Sequence, residues 1–164
     1  MSSPLHLSFV VQCRQERAFR LWTEEIGRWW PADHTVSGNP ATVAFEGRVG
    51  GRIYERGPDG IEHNWGEVTL WDPPVRLGYT WHLGGRPADA TDVEIGFLAG
   101  EGDVTVVEIE HRGWERLGDQ ADAWKDRNRA GWESLLPYLA AAAVAGESAA
   151  KRDRSFDTRK EVIR

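Results

Sequence analysis

The chain has 164 residues, 40% hydrophobic and 28% charged, which suits one domain with a buried core and is too apolar for a disordered polymer. Its net charge of −6 and sequence pI near 5.4 repel phosphate backbones, so nucleic acid is not expected as a partner. The single cysteine, Cys13, rules out an intrachain disulfide, no apolar run approaches the ~20 residues of a membrane span, and the polar stretch Ser2-Ser3-Pro4-Leu5-His6 lacks a signal-peptide core; together these predict a cytoplasmic protein.

Leu5 to Gln12 reads as a strand, because Leu5, Leu7 and Phe9 alternate with His6 and Ser8 before the β-branched pair Val10-Val11. Arg14 to Glu25 reads as a helix, with Ala18, Phe19, Trp22 and Ile26 on one stripe that continues through Trp29 and Trp30 until Pro31 stops it. Gly27 can split this stretch into two short helices.

Thr42–Phe45 and Arg52–Arg56 read as a hairpin around Gly47, Gly50 and Gly51. Ile61 to Trp71 is the next strand, closed by Asp72-Pro73-Pro74. Val75 to Trp81 alternates cleanly: Val75, Leu77, Tyr79 and Trp81 share one face, and Arg76, Gly78 and Thr80 the other. After a loop at Gly84–Ala90, Thr91–Leu98 and Asp103–His111 form a last hairpin.

From Gly118 the period becomes helical. Ala121, Trp124, Asn128, Trp132, Leu135, Leu136 and Leu139 fall on one broad stripe, with Asp119 as the expected N-cap. Pro137 predicts a kink or break near Ser134, and Gly146 a natural end. Residues 147–164 carry six basic and four acidic residues, a net +2 that leaves −8 on residues 1–146. Their apolar content is low, so the expected organisation is a domain over 1–146 and a flexible or loosely docked tail over 147–164.

Short sequential connections imply an antiparallel meander, and the first strand must join it to pair its backbone. The last helix is the element long enough to cover the sheet. The expected fold is therefore α+β: a curved antiparallel sheet of about six or seven strands around a long C-terminal helix, with one or two short helices after the first strand.

Several segments resemble a known family. Ala18-Phe19-Arg20-Leu21-Trp22-Thr23 with Ile26-Gly27-Arg28-Trp29-Trp30-Pro31 is similar to the first helical segment of the activator of heat-shock-protein ATPase homologue-like family. Trp65-Gly66-Glu67-Val68, Trp71-Asp72-Pro73-Pro74-Val75-Arg76-Leu77 and Tyr79-Thr80-Trp81 resemble its central strand–turn–strand signature. Thr105–His111 with Gly113-Trp114 resembles its last strand, and Gly131-Trp132 through Leu135 its closing helix. The likeness spans about residues 5–145. It implies the START-like (SRPBCC, helix-grip) fold, with a cavity between sheet and helix. It does not imply co-chaperone action, and fold alone does not set activity.

The residues offer little conventional catalytic chemistry. None of the five histidines, His6, His34, His63, His82 and His111, forms an i, i+4 zinc pair, and one cysteine makes no sulfur cage. Gly47-Arg48-Val49-Gly50-Gly51 lacks the Lys-Ser/Thr ending of a phosphate loop. No metal and no cofactor are expected.

The unusual feature is nine tryptophans. Each carries a large apolar area and one N–H donor, which suits either core filling or an aromatic-lined cavity. The candidate cavity walls are Trp30, Phe45, Tyr54, Trp65, Tyr79, Trp81, Trp124 and Trp132; the candidate polar groups are His63, Glu108 and His111. A small apolar or aromatic ligand is the first functional expectation. A cyclase- or hydrolase-type enzyme pairing His63 with Glu108 is the second. The third is a protein-interaction domain, chaperone-related or self-associating as a homodimer.

Overall fold

A computed structural model describes residues 3–163, with side chains for residues 3–145. Seven strands follow the alternating segments: β1 (Leu5–Val11), β2 (Thr42–Phe45), β3 (Arg52–Arg56), β4 (Glu62–Asp72), β5 (Arg76–Trp81), β6 (Thr91–Ala99) and β7 (Thr105–Arg112). They form one antiparallel sheet in the order β1-β7-β6-β5-β4-β3-β2, a meander closed by β1 on its far edge. The expected α+β helix-grip architecture is the one observed.

The cross-strand registers put the apolar alternants on one face. Leu5, His111, Val93, Tyr79 and Val68 make one row, and Leu7, Ile109, Ile95 and Leu77 the next. Their polar neighbours, Glu108 and Glu110 among them, point to the opposite face. Irregular register at Ile53/Tyr54 and at Val68/Leu70 bends the sheet. Gly66 lies in this bend, where a Cβ would collide with the Thr80 carbonyl oxygen. The turn from β4 to β5 holds a cis peptide between Pro73 and Pro74.

The sheet's inner face is covered by α1 (Gln15–Trp22) and α2 (Ala121–Ile163). Helix α1 buries Ala18, Phe19, Leu21 and Trp22. Short 3-10 turns at Ile26–Arg28 and Ala32–His34 then carry the chain to β2. Helix α2 packs on β1 and α1 through Ala121, Trp132, Leu135, Leu139 and Ala143.

Three local expectations differ from the structure. Asp119 does not cap α2; it lies in a 3-10 segment, Trp114–Gln120, that turns at Gly118 with φ of 56° before α2 begins. The helix also runs through Gly146 and is not broken at Pro137. Proline costs the helix one backbone bond, which packing of the neighbouring Leu135 and Leu139 offsets. Whether residues 147–164 form a separate tail concerns side chains outside the described residues.

Candidate functional site

The tryptophans divide into two groups. Around Trp22 the packing is closed: Trp29 lies 5.5 Å away, Trp132 5.9 Å and Phe97 6.4 Å between ring centroids. Phe19 fills the next gap against Trp71 and Phe97, at 5.1 and 5.2 Å. Edge-to-face and tilted pairs of this kind are worth about 0.5–1.5 kcal/mol each beyond area burial.

Toward the loop after β5, packing leaves a cavity of about 290 Å³. Its apolar wall is Trp30, Trp81, Leu83, Trp124, Trp132 and Leu135. Trp81 and Trp132 lie near parallel, 6.4 Å apart and inclined by 29°. The polar rim is Asp33, His34 and Thr35 from the second 3-10 turn, with Arg127 and Asn128 from α2. A smaller space of about 110 Å³ adjoins it, sharing Trp81, Leu83, Trp124 and Asn128.

Buried hydrogen bonds fix this wall. The Trp132 indole N–H donates to His111 Nδ1 at 3.1 Å. That sets the tautomer: Nε2 carries the proton and lies 2.6 Å from Thr91 Oγ1. Thr91 in turn donates to the Trp81 carbonyl at 3.3 Å. Trp132 and Trp81 are thus tied together through one neutral imidazole. Burial pushes the His111 imidazole down to about 3, so it stays neutral at ordinary pH. Trp114 completes the shell, its ring 4.2 Å from His111 and its N–H on the His111 carbonyl at 2.9 Å.

A second network holds the rim. Glu55 is buried on β3 and accepts from Val36 N, from Ser37 N at 3.1 Å, from Ser37 Oγ at 2.6 Å and from Trp65 Nε1 at 2.9 Å. Burial pushes the carboxyl up, but these donors together outweigh it and hold Glu55 below the usual carboxylate range. The segment after Pro31 is thereby pinned to β3. Trp30 Nε1 adds a bond to the His34 carbonyl at 2.9 Å, and Thr35 Oγ1 one to the Ala32 carbonyl at 2.6 Å.

Of the residues singled out from sequence, Trp30, Trp81, Trp124 and Trp132 line the cavity. The other seven do not. Trp65 packs behind it, 5.2 Å from Trp30 and 5.9 Å from Trp81, with its N–H consumed by Glu55. Tyr79 is buried between Phe45 and Trp81, and Phe45 sits against Trp71. Tyr54 lies beneath the Arg52 guanidinium, 4.1 Å away.

His63 pairs across strands with Glu55 on β3, whereas Glu108 is exposed on the outer face of β7. Two strands separate β4 from β7, roughly 14 Å at the usual strand spacing, so the expected His63–Glu108 acid–base pair does not form. Nor does His63 meet His111, whose partners are Leu5 and Val93. His111 lies behind the wall, as a buried support with both ring nitrogens occupied.

Sequence reasoning missed Asp33, His34, Arg127 and Glu55. Glu55 had a usable signal, since it shares a strand face with Ile53. Asn128 had another, as a polar residue on an otherwise apolar stripe. Among the described residues, no group of His, Cys, Asp and Glu is placed to hold a metal ion, and no helix is long and apolar enough to cross a membrane.

No curated protein sequence matches the chain. Among solved structures, an anthrahydroquino-γ-pyrone synthase, Txn09, complexed with SUM, is 36% identical over 73% of this chain and 82% of its own, with a TM-score of 0.55. The self-sacrificing resistance protein CalC from Micromonospora echinospora is 27% identical over 85% of this chain and 93% of its own, with a TM-score of 0.69. An HSP90 activator from Plasmodium falciparum, PFC0360w, shares the fold at 16% identity, covering 68% of this chain and 73% of its own, with a TM-score of 0.51. The family description "Activator of Hsp90 ATPase homolog 1-like protein" matches residues 12–143, and the chain belongs to that family.

Proposed function

We propose that this domain binds a planar aromatic molecule bearing polar substituents, in the cavity between β5, α2 and the second 3-10 turn. The observation that carries the reading is the wall itself: four indoles facing about 290 Å³ of space, with a polar rim on one side. Ligand sites are typically apolar concavities with few, well-placed polar groups, and this volume lies at the small end of their range. Stacking on Trp81 and Trp132 would hold the ring system, and Asp33, Thr35, Arg127 and Asn128 would read its substituents. The name of the 36% identical relative, a synthase of a polycyclic pyrone, supports the same ligand class.

The test is a fluorescence titration with hydroxynaphthalenes, hydroxyanthraquinones and aliphatic controls of similar size. Saturable tryptophan quenching by the planar aromatics alone is the expected result. Equal response to the aliphatic set, or none to any compound, sinks the reading. A second reading, an enzyme acting on such a molecule, is favoured by the same relative's being named a synthase. It requires an acid–base group in the cavity, which His63 and Glu108 do not supply.

A further inference from the structure

We infer that His34, oriented by Asp33, is a general base of this cavity, taking the proton from a phenolic or enolic hydroxyl of the bound aromatic molecule. The inference rests on the aromatic-ligand reading above and adds chemistry to it.

Three observations meet at this residue. His34 is a cavity-lining group whose side chain is only 21% exposed, whereas Asp33 beside it is 78% exposed. Asp33 Oδ1 lies 2.8 Å from His34 Nδ1. A carboxylate only accepts, so Nδ1 carries the proton of the neutral ring and Nε2 carries the lone pair. No described residue hydrogen-bonds to Nε2. A residue lining the cavity thus carries an acceptor nitrogen with no described partner, while its other nitrogen is held by the more exposed Asp33.

The ring is also pre-placed. His34's backbone is fixed by the Trp30 indole on its carbonyl and by its own N–H on the Pro31 carbonyl at 3.1 Å. Two residues on, Glu55 anchors Val36 and Ser37. A base held this way loses little orientation when ligand enters. His111, buried behind the wall, cannot compete, because both its nitrogens are engaged.

The proton balance closes without a co-reactant. The ligand O–H bond breaks, its electron pair stays on oxygen as a phenolate or enolate, and the proton bonds to Nε2. The resulting imidazolium keeps its Nδ1–H on the Asp33 carboxylate. The charged groups sharing the cavity with His34 are Asp33 on its own segment and Arg127 on α2. Arg127 lies over the Trp124 ring at 5.0 Å and makes no salt bridge with any described residue, so its cation is available to the new oxyanion.

The test uses the full chain and 1,2-dihydroxyanthraquinone, whose phenol and phenolate forms absorb differently in the visible. Tryptophan quenching reports binding, and the visible spectrum at saturating protein reports ionisation independently of affinity. The wild-type complex is expected to ionise the probe about one pH unit below the free compound, roughly a tenfold change in its ionisation constant. His34→Gln should abolish most of that shift, and Asp33→Asn should reduce it. Circular dichroism identifies any variant that fails to fold, and Asp33→Asn alone then decides the role of the pair. Quenching with an unshifted wild-type spectrum overturns the base but leaves ligand binding standing. A full shift persisting in folded His34→Gln or Asp33→Asn overturns the assignment to this pair. Absence of quenching overturns both readings.

Discussion

Trp22 and Trp124 are the same residue in two different places, and their difference separates packing from recognition. Trp22 is fully buried, ringed by Trp29, Phe97 and Trp132. Trp124 lies half-buried at the cavity mouth, one face under Arg127 and its surroundings shared between two adjoining spaces. Around Trp22 neighbours fill the volume that the indole leaves. Around Trp124 the second 3-10 turn, Trp81 with Leu83, and α2 leave space between them. A tryptophan becomes a candidate ligand contact where its partners cannot close on it.

Breaking the packed side should have the largest effect. Trp22→Ala is expected to cost about 3–5 kcal/mol in urea unfolding followed by circular dichroism, as buried aromatic truncations do. A cost equal to that of Trp124→Ala would erase the distinction between the two regions.

The support beneath the cavity is next, through pH. In the unfolded chain an imidazole takes its proton near 6.5, whereas His111 in the fold resists until about pH 3. Between those values the unfolded state binds the extra proton, so stability is full above the upper value and falls as pH drops. The slope from this group approaches about 1.4 kcal/mol per pH unit. His111→Gln should flatten that slope between pH 6.5 and about 5, above the carboxylate range. An unchanged slope would mean that His111 protonates in place.

Glu55 sharpens the contrast at the rim. Glu55→Gln replaces an acceptor with a donor facing N–H groups, which should cost about 1–3 kcal/mol. The native carboxyl is held low, so its contribution is present above the unfolded value and lost as pH falls through the folded one. The variant should therefore lose less stability on acidification, measured by thermal unfolding below about pH 4.5. Its aromatic-probe affinity should also fall, because the segment bearing His34 and Thr35 loses its anchor.

The smallest stability change belongs to the open side. Trp124→Ala should cost under about 1 kcal/mol in unfolding yet weaken probe binding up to roughly tenfold, the worth of one aromatic contact at the cavity mouth. A large loss of stability with unchanged binding would reverse the roles assigned to the two regions.

The overall architecture was legible because it depends on short-range period. Leu77, Tyr79 and Trp81 alternate with Gly78 and Thr80, and the strand they imply is the one observed. The stripe from Ala121 to Leu139 likewise produced the gripping helix. A break at Pro137 and an end at Gly146 did not occur, since a breaker's local cost says nothing of the packing that offsets it.

The site was legible only in part. Trp30, Trp81, Trp124 and Trp132 share a cavity, but Tyr79 and Trp65, with the same credentials on paper, lie in closed packing. Composition supplied nine tryptophans without saying which would lack a neighbour. By itself the sequence determined periods and faces, which follow from side-chain alternation along one chain, whereas the edge that β1 takes beside β7 came from the tertiary structure. Only tertiary structure decided where volume stays empty, because a cavity is a property of segments far apart in sequence. The same holds for Glu55 on Val36 and Ser37, a long-range set of bonds that no local spacing encodes, and for His34, which shares one cavity with residues of α2.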